Sequence, residues 1–261
     1  MKIEYRHSAS KTNTFIDSPP FWIINELFGF ESGPNARMVM GLAAEDAAHH
    51  ALSNQIIDAD TIIDYSKKKY LEHRSKDIHP AEVADEDEHQ WSGIIAHKFV
   101  ENLPEFGEIV SFQNEKQIKG DKYGLKYDVV GKTDFEFKDV IVDTKATAYI
   151  RRLKSKGNIV DPKWYPKLAD LRQQCLYRDL FGKETALLYC SPTDVHMVDM
   201  VDRDHLNELI NAMKHIEHIL DICKTKEDVV RIFPLVCDNF RWKGTPEAEK
   251  FAQDIWTKCL K

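Results

Sequence analysis

The sequence predicts an α/β domain in which a central mixed β-sheet is flanked by helices and preceded by a mostly helical region. Three observations carry that reading. Residues 36–56 are Ala-rich and free of helix breakers, which calls for a long helix. Beyond Pro104, β-branched and aromatic runs alternate with the turn signals Lys119-Gly-Asp and Tyr123-Gly. The pattern then returns to helix at 164–181, to two short strands, and to helix again. Elements in that order bury a sheet between helical layers.

The helical region spans 1–104. Ser8-Ala-Ser-Lys-Thr-Asn-Thr-Phe leads into a short helix around 10–16, and Ser18-Pro-Pro breaks it. A second helix near 20–28 runs into a Gly-Pro loop ending at Pro34. The long helix follows, then helices near 59–72 and 85–102 on either side of the Pro80 region. In the sheet core, 105–201, the runs Val110–Ile118, Leu125–Phe137 and Val140–Thr147 read as strands. A helix over 164–181 stops at Gly182, and strands Glu184–Ser191 and His196–Val201 are separated by Ser-Pro-Thr-Asp. Helices near 202–223 and 245–259 fill the last part, 202–261. There is no internal repeat and no linker, so 1–261 reads as a single domain.

Composition excludes several classes. With 261 residues, 43% hydrophobic and 30% charged, the chain can bury a large core and is not low-complexity. No apolar run approaches the roughly 18 residues of a transmembrane helix, so no membrane partner is expected. The start, Met1-Lys-Ile-Glu-Tyr-Arg-His, lacks a signal-peptide core, and a cytoplasmic location is the expectation. Five cysteines (175, 190, 223, 237, 259) are scattered without a Cys-x-x-Cys pair, which argues for reduced thiols rather than a disulfide framework or zinc ribbon. A net charge of −7 is awkward for nucleic acid, but part of it is local, in the acidic run Glu82–Glu88.

The chemistry concentrates in Gly131-Lys-Thr-Asp-Phe-Glu-Phe-Lys-Asp-Val-Ile-Val-Asp-Thr-Lys. If Lys138-Asp139 is a hairpin turn, Asp134 and Asp143 stand opposite each other, and Lys145 projects from the same face as Asp143. Opposed carboxylates repel unless something positive lies between them, and a Mg²⁺ ion would supply that charge. The other reading is a solvent-facing strand pair with ordinary surface charges. Glu45, four residues after Gly41 and among Ala43, Ala44, Ala47 and Ala48, lies on a helix face suited to burial, where an unpaired carboxylate is costly. Gln173 and Tyr177 share one helix face. Arg151, Arg152, Lys154, Lys156, Lys163, Lys167, Arg172 and Arg178, with Tyr149, Trp164 and Tyr165 among them, suit phosphate tracking and base stacking, or else form a solvated loop. Lys67-Lys68-Lys69 reads as a plain helix face. His49, one turn beyond Glu45, is either a neighbour of the site or a packing residue.

Taken in order, Glu45, Asp134, Asp143-Thr144-Lys145 and Gln173-x-x-x-Tyr177 resemble the motif series of the PD-(D/E)XK nuclease superfamily. The closest likeness is to its RecB-like exonuclease branch, which includes phage-encoded members. The opening Ser8-x-Ser10 segment with Pro19 is similar to that branch as well, so the likeness runs from about residue 8 to about 200. It implies a restriction-endonuclease-like core and a deoxyribonuclease that cuts at DNA ends in recombination, repair or phage DNA metabolism, leaving a 5′-phosphate. It implies that Glu45, Asp134, Asp143 and the Thr144 carbonyl hold one or two Mg²⁺ or Mn²⁺ ions. Lys145 would then orient or help deprotonate the attacking water, while Gln173 and Tyr177 position DNA or buttress the metal ligands. Some members carry an iron–sulfur cluster; here Ser18 takes the first cysteine's place and no late cysteine triplet exists, so none is expected. A Walker motif and a His-Glu-x-x-His motif are also absent. A homo-oligomer, or a single-strand-binding or annealing protein as partner, fits the resemblance without being demanded by it. Three alternatives stay open: a structure-specific endonuclease, a non-cutting DNA-binding module on the same scaffold, and a hydrolase of small phosphorylated substrates.

Overall fold

A computed structural model of the chain describes residues 4–31, 33–74, 86–148, 166–199, 204–243 and 245–260. Its centre is a five-stranded mixed sheet in the order β1-β4-β5-β6-β7. The strands are β1 Ile109–Phe112, β4 Phe135–Phe137, β5 Val140–Ala146, β6 Glu184–Cys190 and β7 Val195–Asp199. Only β5 and β6 run parallel, and helix α6 (Leu168–Phe181) lies between them in sequence. A separate two-stranded sheet pairs β2 (Glu115–Ile118) with β3 (Val129–Lys132).

One face of the main sheet is covered by three mutually packed helices, α3 (Ala36–Ser53), α4 (Ala59–Arg74) and α5 (Glu86–Asn102). Phe135, Phe137, Val142, Ala186, Leu188 and Cys190 meet them in one core. Small side chains permit this closeness, with Ala43, Ala44, Ala47 and Ala48 all buried on α3. Where α4 crosses α5, a Cβ on Gly93 would fall 2.8 Å from Ile63 Cγ2, so the crossing needs glycine. Helix α6 covers the other face.

The helices of the 1–104 region pack into different cores. Helices α1 (Ala9–Asp17) and α2 (Pro19–Trp22), with a π-turn at Ile23–Leu27, leave the α3–α5 layer and pack with the C-terminal helices α7 (Asp204–Ile222), α8 (Lys226–Ile232) and α9 (Pro246–Cys259). Trp22, Ile23 and Ile24 are fully buried there, with Val229, Trp242 and Trp256 in the same cluster. Among the described residues no helix is long and apolar enough to cross a membrane.

Two strands expected as continuous are each divided. Val110–Ile118 splits into β1 and β2 at Gln113, whose φ of 50° breaks the extended path. Leu125–Phe137 splits into β3 and β4, and Thr133 N–H donates to the Asn114 carbonyl at 2.9 Å. Both runs therefore leave one sheet and enter the other at a shared corner, which period-two patterning does not reveal. The long helix stops at Ser53 because Asn54 back-bonds to His50 and Gln55 turns left-handed at φ 56°. Helix α8 was not expected; a capping box between Thr225 and Asp228 starts it.

Candidate active site

The site is built on the β4–β5 hairpin. Its ladder pairs Phe135 with Val142 and Glu136 with Ile141, a register closed by the two residues Lys138 and Asp139. The same register, extended by one pair, sets Asp134 opposite Asp143. Asp134 continues the ladder with its side chain: Oδ2 accepts the Thr144 N–H at 2.9 Å and the Thr144 hydroxyl at 3.3 Å. Side chains alternate along β5, so Val142 and Ala146 face the α3 layer while Asp143 and Lys145 face α6. Gly41 lies against Ala146, where a Cβ would make an ordinary 3.6 Å contact. One turn further along α3, half-buried Glu45 reaches the cluster across Thr144.

Asp143 is fully buried. Its Oδ1 accepts from Gln173 Nε2 at 3.2 Å, and its Oδ2 meets the Lys145 ammonium without a well-aligned hydrogen bond. The second N–H of Gln173 goes to the Tyr177 hydroxyl at 2.8 Å, which in turn donates to the Lys132 carbonyl at 2.5 Å. A continuous chain of hydrogen bonds thus joins β5, α6 and β3. It closes because Gly131 has no side chain: a Cβ there would come 2.7 Å from Leu180 Cδ1 and 3.1 Å from the Tyr177 ring.

The charges are unbalanced. Burial pushes the Asp143 carboxyl well above its usual range; Lys145 opposes the shift and Asp134 adds to it. The Glu45 carboxyl is raised in the same way by burial and then by Asp134, against Lys145. Burial alone would lower Lys145, but Asp143, Asp134 and Asp170 outweigh it and hold the ammonium charged far above its ordinary value. Tyr177 is raised by burial, then by Asp143 and Asp134, so its hydroxyl stays protonated as a donor.

Asp170 escaped the sequence reading. It sits in the first turn of α6 and accepts the Tyr189 hydroxyl at 2.5 Å, while Tyr189 pairs with Lys145 across the β5–β6 ladder. A signal existed, because Asp170, Gln173 and Tyr177 follow the three–four spacing of one helix face. An acidic residue in a first turn is common enough to pass as a helix-dipole partner.

The other expected residues divide. Arg151, Arg152 and Lys154, with Tyr149, Lys156, Lys163, Trp164 and Tyr165, lie outside the described residues. Arg172 is engaged, donating to Glu208 at 3.0 Å and to Asn13 at 3.5 Å. Tyr177 is buried with its hydroxyl committed, which suits a buttress better than a DNA contact. His49 stacks on Phe112 with centroids 4.0 Å apart, the packing alternative. Ser18 caps α2 and accepts from Trp242 Nε1 at 3.1 Å. All five cysteines are free thiols.

Among the described residues, no three or more His, Cys, Asp or Glu side chains stand arranged to hold a metal ion. The donor chemistry nonetheless fits a hard cation. The cluster offers carboxylate oxygens, with Asp134 helping to raise both Glu45 and Asp143, and Asp143 Oδ2 is buried against the Lys145 ammonium. Fold and site together define a class: an α/β protein with a carboxylate–lysine–glutamine cluster between the parallel strand β5 and helix α6. Comparison with known proteins adds no family: no family model and no curated protein matches the chain. A solved structure described as "Crystal structure of SSO0001" aligns over 72% of this chain and 89% of that one, at 14% identity and a TM-score of 0.33.

Proposed function

We propose that the chain is a divalent-metal-dependent deoxyribonuclease, an exonuclease that hydrolyses phosphodiesters at DNA ends in the cytoplasm. The observation that carries this reading is the convergence of Asp134, buried Asp143 and Lys145 on one hairpin, with Glu45 reaching in from α3 and Gln173 from α6. Glu45, Asp134, Asp143 and the Thr144 carbonyl would hold one or two Mg²⁺ or Mn²⁺ ions. Such an ion supplies Lewis-acid polarisation of the phosphate and a more acidic bound water. Lys145, kept charged by its carboxylate neighbours, orients the attacking water and faces the negative charge that develops on the phosphoryl oxygens. Gln173 fixes the Asp143 carboxylate, and Tyr177 fixes Gln173. In the net step, the water oxygen bonds to phosphorus, the P–O3′ bond breaks, and the 3′ oxygen takes up a proton. The products are a 5′-phosphate and a 3′-hydroxyl.

The test is cleavage of end-labelled linear DNA with Mg²⁺ by Asp134→Ala, Asp143→Ala and Lys145→Ala. Each should lose about 10²–10³-fold in kcat, the scale of losing one electrostatic group at such a centre. Retained cleavage by all three folded variants, or activity indifferent to EDTA, would end the reading. A circular substrate separates an exonuclease from a structure-specific endonuclease. The alternative is a non-cutting DNA-binding module on the same scaffold. DNA binding without metal-dependent turnover would support that alternative.

A further inference from the structure

We propose that Lys132, held by Gln113, is a phosphate-binding residue that takes a backbone phosphate of the DNA strand beside the Asp134–Asp143 cluster. The inference rests on the nuclease reading above and names a substrate contact that the motif comparison did not include.

Three features single Lys132 out. Its main chain is anchored to the site, because its carbonyl accepts the Tyr177 hydroxyl in the chain that ends on Asp143. Its ammonium is exposed and tethered: Nζ donates to Gln113 Oε1 at 2.9 Å. Gln113 in turn holds Asp134, donating its N–H to the Asp134 carbonyl at 2.9 Å. Gln113 does this at φ 50°, a left-handed conformation that glycine adopts without strain and a side chain does not. A side chain there costs roughly 1–2 kcal/mol relative to glycine. Here the side chain positions an ammonium.

The third feature is charge. Neighbouring lysines are neutralised: Lys119 pairs with Asp128 at 3.0 Å, Lys122 with Asp179 at 2.6 Å, Lys183 with Glu136 at 2.6 Å, and Lys126 with Asp221. Lys116 lies over the Phe181 ring at 5.5 Å. Glu115 faces Lys132 across the β2–β3 ladder, but its carboxylate approaches Arg6 at 3.9 Å. Among the described residues Lys132 has a neutral amide as its partner and no carboxylate. An ammonium pre-positioned by a neutral acceptor keeps its full charge for an incoming phosphate. It also partly offsets a carboxylate-rich site that would otherwise repel DNA.

The experiment compares wild type, Lys132→Gln, Lys132→Arg and Gln113→Gly. Cleavage of end-labelled linear DNA is followed at 50–200 mM KCl with Mg²⁺, alongside anisotropy of a fluorescein-labelled oligonucleotide in EDTA. Lys132→Gln should raise KM about 5–10-fold and reduce the slope of log(kcat/KM) against log[salt] by about 1, the signature of one lost phosphate contact. Lys132→Arg should restore both. Gln113→Gly, which keeps the turn and removes the tether, should raise KM less and leave the slope near wild type. An unchanged salt slope, or a fall in kcat with KM unmoved, overturns the proposal while leaving the nuclease reading intact. If wild type does not cut, that reading falls, and the anisotropy slope still decides whether Lys132 takes a phosphate.

Discussion

Tyr177 supports the charged cluster without adding a charge to it. Its hydroxyl accepts from Gln173 and donates to the Lys132 carbonyl, so it orients the amide that holds Asp143. Tyr177→Phe removes both bonds and leaves a carbonyl and an N–H with no partner. A cost of about 1–2 kcal/mol in stability is expected, read by thermal unfolding. On the proposed nuclease reading, activity should fall about tenfold in kcat, because the Asp143 carboxylate loosens while contacts to DNA remain. A larger effect on KM than on kcat would mean that Tyr177 does touch DNA. The residue scale is also where the sequence was most legible. Once a two-residue turn at Lys138-Asp139 was assumed, period-two alternation set Asp134 against Asp143, and the ladder has that register. The role of Tyr177 was not legible, because a helical Tyr four residues from a Gln has the same spacing whether its hydroxyl meets a phosphate or a buried carbonyl.

At the scale of elements, the junction between α7 and β3 depends on one carboxylate. Buried Glu217 accepts the Lys126 N–H at 2.8 Å, the Tyr127 N–H at 2.9 Å and His7 Nε2 at 3.1 Å. His7 in turn bridges to Val129 and bonds through its main chain to Asp128 and Val130. Glu217→Ala strips three donors of their acceptor and should destabilise the fold by about 3 kcal/mol. The chain nearest this junction, β3, leads directly to Lys132 and Thr133, so activity should be lost before the fold is. A pH dependence follows from the same junction. Burial lowers the His7 pKa, with the Glu217 bond only partly offsetting it, so the native state holds the ring neutral more strongly than the unfolded chain does. A lowered imidazole pKa makes the unfolded state bind the extra proton, and stability present above about pH 6.5 is lost as pH falls toward the folded value. His7→Gln should lose less melting temperature than wild type between pH 7.5 and 5.5. An equal or steeper loss would rule out His7 as the acid-sensitive group. Neither this junction nor the corner at Gln113 was legible, since both depend on which sheet a strand joins, and patterning within one strand carries no such information.

At the scale of the whole molecule, the β4–β5 hairpin lies between the α3–α5 helix layer and α6. The α3–α5 layer fixes Glu45 on one face of the sheet, while α6 brings Gln173 and Asp170 to the other. The α/β class was readable because each layer has its own period, whereas the docking of α1 and α2 onto α7–α9 joins the two ends of the chain and left no local trace. This arrangement holds Glu45, Asp134, Asp143 and Asp170 near Lys145, which among the described residues leaves a surplus of carboxylates for the fold to contain. A cation bound only by the native state would relieve it and stabilise the entire domain by mass action. At a hundredfold excess over Kd the gain is about 2.7 kcal/mol. For a chain of this size that corresponds to roughly 5–10 °C in melting temperature. Thermal unfolding in EDTA against a Mn²⁺ series should therefore show a saturable rise in wild type. Asp143→Asn, which preserves side-chain shape and removes one negative charge, should begin from an equal or higher melting temperature in EDTA and show little rise. Equal Mn²⁺ shifts in both proteins would place the stabilising ion elsewhere and detach the carboxylate cluster from metal binding.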